Sequence, residues 1–188
     1  MRSPGEWPDK RFIDGTFRGS YIGVRSAGMQ IEMTIKGLMI DPITNMPIVV
    51  LRDEDGQRIL PIWVGVFEAN AIALQIENVQ TPRPMTHDLL KNVIDDLRAE
   101  VQRIVVCDLR DNTFYAEIHL RGSDGDRRVD ARPSDAIALA LRTRSPIFVE
   151  QAVIDGASSS ETSRDSDVGR LRQWLEGLSD DELGHYKM

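Results

Sequence analysis

A chain of 188 residues is long enough for one domain with a real core and too short for two large ones. Hydrophobic residues make up 41% and charged residues 28%, which suits a soluble globular protein, and no apolar run is long enough to cross a bilayer. The net charge of −7 divides into +2 over residues 1–30, −5 over 31–154 and −4 over 155–188, which counts against tight, non-specific nucleic-acid binding through a broad basic face.

The first 28 residues mix Pro, Gly, Arg and aromatics without a period, and are expected to be a flexible leader. They lack the apolar stretch of a secretory signal. The single cysteine, Cys107, excludes an internal disulfide and suits a reducing cytosol. It lies in an apolar run and reads as a small buried hydrophobe. A cytoplasmic location is therefore expected.

Ile31–Ile40 opens with polar and apolar residues in alternation and predicts a strand. Pro47–Leu51 and Arg58–Val64 predict two more, joined by a solvated turn at Asp53-Glu54-Asp55-Gly56. Phe67–Glu77 has the spacing of a helix with Ala69, Ile72, Ala73 and Ile76 on one face. Pro82 and Pro84 then break the chain, and Thr86 is placed to N-cap a helix to about Glu100. The expected buried stripe of that helix is Leu89, Leu90, Val93, Ile94 and Leu97. Arg103–Leu109, Thr113–Leu120 and Arg128–Ala131 predict strands. Pro133 and Ser134 open a helix to about Arg142, and Pro146–Val149 is a short extended segment. Residues 155–167 are polar and expected to be a flexible linker. Val168–Leu178 has the pattern of a short amphipathic helix, with Trp174 suited to docking on its own domain or on a protein partner.

The chain contains a repeat. Leu51-Arg52-x-x-Asp55-Gly56-x-Arg58 matches Leu120-Arg121-x-x-Asp124-Gly125-x-Arg127, and Ala71-Ile72-Ala73-Leu74 matches Ala136-Ile137-Ala138-Leu139. Self-similarity in the same order predicts a repeated unit. The expected fold class is α+β, with a mixed, mainly antiparallel sheet from two β-β-β-α repeats and packed helices. The domain should cover residues 29–154, followed by a linker and short helix over 155–188. On the match between the Ala-rich helices, Asn70 and Asp135 are equivalent. Only the second copy then keeps a carboxylate, which places any site nearer Arg132–Asp135.

Leu60-Pro61-Ile62-Trp63-Val64-Gly65 with Glu68-Ala69, Arg83-Pro84-Met85-Thr86-His87-Asp88-Leu89-Leu90, and Phe114-Tyr115-Ala116 followed by Arg132-Pro133-Ser134-Asp135-Ala136-Ile137-Ala138-Leu139-Ala140 together resemble the signatures of the bifunctional nuclease family. The resemblance covers roughly residues 30–155. It implies a nuclease acting on both DNA and RNA, and a homo-oligomer.

The residue chemistry suggests where such a site would lie. Phosphodiester hydrolysis needs an activated water, charge stabilisation and leaving-group protonation. The candidate catalytic residues are His87, Asp88, Glu68 and Asp135, with Arg83, Arg132 and Ser134 as substrate-binding candidates. Glu68, Asp88 and Asp135 could hold Mg²⁺ or Mn²⁺. Each candidate also has a plain structural role to weigh. Thr86 and Ser134 are natural helix N-caps, and acids in a first helical turn offset the macrodipole. Two functions follow: a metal-assisted nuclease of low sequence specificity, or a non-enzymatic regulatory or assembly module binding a protein or small ligand.

Overall fold

The computed structural model describes residues 28–42 and 44–160. Most of the expected leader and the whole expected tail helix, Val168–Leu178, lie outside the described residues. The first unit has strands β1 (Gln30–Ile40), β2 (Pro47–Asp53) and β3 (Ile59–Trp63), then helix α1 (Val66–Ile76). Helix α2 (Thr86–Asp96) links it to the second unit: β4 (Glu100–Arg110), β5 (Thr113–Gly122), β6 (Gly125–Ala131) and α3 (Pro133–Thr143). The short strand β7 (Ile147–Glu150) leads into α4 (Gln151–Ser160).

All seven strands form one sheet in the order β3-β2-β1-β7-β4-β5-β6. Each half is an antiparallel meander, and both copies of the repeated Leu-Arg-x-x-Asp-Gly-x-Arg run lie at the second hairpin of their unit. Gly56 and Gly125 have positive φ in these turns, which is why glycine recurs there. β7 lies antiparallel to β1 and parallel to β4, so it joins the halves and sets β1 and β4 antiparallel to each other. The fold is thus α+β with a mixed, mainly antiparallel sheet, as the repeat predicts.

Alternation places one row of each strand on the helix-facing side. Val49, Leu51, Leu60 and Ile62 from the first half join Ile104, Val106, Ala116 and Ile118 from the second in the core. α1 and α3 pack on them and on each other through Ala69, Ile72 and Ala73 and through Ala136, Ile137, Ala138, Leu139 and Ala140. Small side chains permit this close helix approach. Burying each of the larger aliphatic side chains contributes on the order of 2 kcal/mol.

Four expectations are corrected. α2 ends at Asp96 rather than near Glu100, because Arg98 takes positive φ and the chain turns into β4. The expected stripe of α2 is mostly exposed: Leu89 keeps 58% and Leu97 72% of its surface in solvent, while only His87 and Ile94 are buried. Polar ties described below fix the rotation of the helix against α3. The Asp53 turn is not fully solvated, since Asp53 is buried and accepts hydrogen bonds from the amide and guanidinium of Arg58. Burial would raise its pKa, but those bonds outweigh burial and hold the carboxyl below its usual range. Finally, α4 continues to Ser160, across the start of the expected linker.

Candidate active site at the helix N-termini

The three candidate carboxylates occupy the same local position. The N-caps of α1, α2 and α3 are Gly65, Met85 and Arg132, so Glu68, Asp88 and Asp135 each lie three residues inside their helices. A carboxylate there meets the unpaired amides and the positive end of the macrodipole. Thr86 and Ser134 are therefore not N-caps, and neither cap position carries a side-chain cap bond of its own. Pro133 takes the first helical position of α3, where its missing N–H costs nothing, and shifts Ser134 one step inward.

Aligning the helices by their caps also revises the expected asymmetry. Glu68 and Asp135 are equivalent, and both copies carry an acid there. Arg132 joins them: its Nε and Nη2 lie 2.7 and 3.1 Å from the two oxygens of Asp135, and its Nη1 lies 2.8 Å from Glu68 Oε1. His87 Nε2 lies 3.1 Å from Asp135 Oδ1. Desolvation pushes the Asp135 carboxyl up, but Arg132 and His87 overcome it and hold it below the ordinary range. An ionised carboxylate only accepts, so His87 Nε2 donates this hydrogen bond.

Asp88 is turned elsewhere. Its Oδ2 accepts the Met85 amide at 2.9 Å, and its Oδ1 pairs with Arg142 Nε at 2.5 Å. The Arg142 side chain is only 5% exposed and also donates to the carbonyls of Ala71 and Ala138. This buried arginine therefore ties α1, α2 and α3 together. Arg83 is exposed in the loop before α2, and no ion pair to it is formed among the described residues. The structure thus brings Glu68, His87, Arg132 and Asp135 together and separates Asp88 and Arg83 from them.

A cleft of about 280 Å³ opens beside this cluster. Its walls include Trp63 and Gly65 from the β3–α1 junction, Asn112 and Phe114 from the β4–β5 hairpin, and Arg132 and Ser134 from the start of α3. Phe114 was legible as part of a motif but not as a wall of a site. The same holds for Trp63, and Asn112 lies in no motif; the cleft is assembled from three separate chain segments, so none of these carries a local signal of that role. Trp63 is held by its indole N–H, which donates to the buried Asp41 at 3.0 Å.

The donor set does not suit a divalent cation as it stands. Among the described residues, no group of three or more His, Cys, Asp or Glu side chains is arranged to hold a metal ion. The guanidinium of Arg132 fills the gap between Glu68 and Asp135, and Asp88 faces Arg142. No helix among the described residues is long and apolar enough to cross a membrane.

The N-termini of α1 and α3 flank this cleft on a duplicated meander-and-helix scaffold, in a domain of the α+β class. The bifunctional nuclease domain model matches residues 49–162, and the chain belongs to that family. An uncharacterized protein of Mycobacterium tuberculosis strain H37Rv is 37% identical over 162 residues, covering 81% of this chain and 97% of its own. Bifunctional nuclease 2 of Oryza sativa subsp. japonica is 33% identical over 135 residues, 69% of this chain and 42% of its own. Bifunctional nuclease 2 of Arabidopsis thaliana is 32% identical, covering 65% of this chain and 37% of its own. The chain therefore spans less than half the length of these two plant relatives.

Proposed function

We propose that this protein hydrolyses phosphodiester bonds in DNA and RNA with low sequence specificity, in the cleft beside Arg132. The observation that carries the reading is the Glu68–Arg132–Asp135–His87 cluster at the mouth of that cleft. Family membership supports the same chemistry. Arg132 is the substrate-facing cation, and a phosphate entering the cleft competes with Glu68 for its Nη1. Asp135 keeps its two-bond grip and aims the guanidinium. Glu68, once released, accepts a proton from the attacking water. Arg132 offsets charge on the phosphoryl oxygens, and the departing oxygen takes a proton from solvent in the open cleft. His87 is a positioning residue, because it is buried and acts through Asp135. Ser134 lines the cleft as a hydroxyl donor to substrate. Asp88 stabilises the helix junction rather than touching substrate.

Mg²⁺ or Mn²⁺ enters this reading only as a competitor for the space Arg132 fills. A second reading, a non-enzymatic module, is favoured by one observation: each of the three acids has a sufficient structural role as a first-turn carboxylate paired with arginine. Rigorously purified protein, assayed on single-stranded DNA and RNA with and without each metal, decides between them. Glu68→Gln and Arg132→Lys should each lower turnover by about 10²-fold or more. Turnover that both variants leave unchanged assigns the activity to another site or a contaminant. A homo-oligomer in the cytoplasm completes the reading, supported by the apolar residues that α2 leaves in solvent. Leu97→Lys should lower the mass seen by light scattering, and an unchanged mass removes α2 from any subunit contact.

A further inference from the structure

The side of the sheet turned away from α3 carries a second cluster of charge. Ile104, Val106, Ala116 and Ile118 face the core, so alternation puts Arg103 and Val105 of β4 and Glu117 and His119 of β5 on the opposite side. Strand register then aligns three nitrogen-rich side chains. Arg103 lies opposite His119, and His119 lies opposite Arg128. Adjacent strands are about 4.8 Å apart, so the row extends roughly 10 Å.

Like charges placed directly opposite each other destabilise a sheet. Glu117 is the carboxylate in contact with the row: its Oε2 lies 3.2 Å from His119 Nε2 and 3.8 Å from Arg128 Nη1, while Asp126, near enough to act on His119 through its charge, is paired with Arg121. Arg103 is treated differently. Its guanidinium lies over the ring of Phe148, 5.9 Å from the centroid, and its Nε is buried without a hydrogen-bond partner among the described residues. A buried donor on a permanently charged group calls for an acceptor. Burial first, and then the charge of Arg103, push the pKa of the His119 imidazole below its usual value.

We propose that the Arg103–His119–Arg128 row binds a phosphate group, either inorganic phosphate or the terminal phosphate of a nucleotide. An oxyanion supplies the acceptors that Arg103 lacks, relieves the repulsion along the row and converts His119 into a donor. Arg128 is more than half exposed and marks the open end of the site. The row is distinct from the cleft: Phe114 lies on the core side of β5, and five residues separate it from His119, about 17 Å along the strand. The inference does not depend on the nuclease reading.

Histidine-selective NMR of the full chain tests it. Inorganic phosphate and, separately, a 5′-mononucleotide are titrated at constant ionic strength while the His119 ring signals are followed. A saturable shift is expected with both. A lower saturating concentration for the nucleotide identifies a nucleotide phosphate as the natural ligand, and an equal or higher one identifies free phosphate. Arg103→Met keeps an apolar stem over Phe148 and should weaken binding by roughly tenfold or more. Arg128→Gln, at an exposed position that does not threaten the fold, should weaken it several-fold. No saturable shift in the parent protein overturns the proposal, and so does an affinity that neither variant changes.

Discussion

Arg132 grips Asp135 with two parallel hydrogen bonds, although the two residues are only three positions apart and Arg132 is itself the N-cap of the helix that contains Asp135. A local contact of this kind would ordinarily be an exposed i,i+3 pair of little energetic weight. It becomes more because the third guanidinium nitrogen reaches Glu68 in the other half of the fold and His87 braces Asp135 from α2. Three helix starts therefore converge on one cation. On the proposed reading, substrate at Arg132 disturbs a network that also helps hold α1, α2 and α3 in place, which would couple the occupancy of the cleft to the packing of the helices.

Gly65 is the simplest handle on that coupling. A Cβ built there would lie 2.2 Å from Glu68 Oε2, because the Glu68 side chain folds back over its own N-cap. The backbone at Gly65 has φ −70 and ψ 157, which alanine adopts freely. Gly65→Ala should therefore cost less than about 1 kcal/mol of stability while pushing the carboxylate end away from Arg132. Turnover should fall about tenfold or more with an almost unchanged melting temperature. Full activity in a folded variant would show that the folded-back position of Glu68 is not used.

Much of this scaffold is legible in the sequence. The strands of both meanders announce themselves by alternation and by Asp-Gly turns, and the Leu-Arg-x-x-Asp-Gly-x-Arg run marks both second hairpins. The place of β7 is not legible: a four-residue strand has too little pattern, and its position depends on pairing with β1 and β4, far away in sequence. The rotation of α2 misleads for a related reason. Its sequence offers Leu89, Val93 and Leu97 as a natural core stripe, but the Asp88–Arg142 and His87–Asp135 ties turn a different edge inward. Arg142 itself carries no local sign of its importance, since its acid partner lies 54 residues away. The candidate site is legible because its residues crowd around helix starts, whereas the equivalence of Glu68 and Asp135 depends on the cap positions.

The Asp88–Arg142 pair should govern stability rather than chemistry. Asp88→Asn removes the charge that compensates a guanidinium buried among three helices. The expected loss is about 2–3 kcal/mol, or a fall in Tm of roughly 5–10 °C. The pH dependence follows from the same contacts. Burial raises the Asp88 carboxyl, but the Met85 amide and Arg142 prevail and hold it below its usual value. A depressed folded-state value stabilises the protein fully above the unfolded value near 4, and that contribution fades as pH falls through the folded one. Chemical denaturation at several pH values should therefore show the parent's advantage over Asp88→Asn at pH 7 and its decline below about pH 4. An advantage that stays constant into acid would mean that the pair contributes through shape and not through charge.

Cys107 should be inert in the folded protein, and this tests the opposite side of the sheet without touching the cleft. The residue lies at a bulge in β4, and its thiol donates to the Tyr115 carbonyl at 3.7 Å. Burial first, and then the charges of Glu117 and Asp108, push the thiol up to about 11. The thiolate is the reactive form, so at pH 8 a group so raised should react with an aromatic disulfide reagent roughly a hundredfold more slowly than an ordinary exposed cysteine. The denatured chain should react at the ordinary rate, and the difference reports how firmly β4 and β5 stay paired. Removing the charge of Glu117, which also hydrogen-bonds His119, should lower the pKa of the thiol, so Glu117→Gln should speed the reaction of the folded protein. Equal rates in the parent and Glu117→Gln would remove Glu117 as a cause, whereas fast labelling of the native parent would mean that the β4–β5 pair opens on the timescale of the assay.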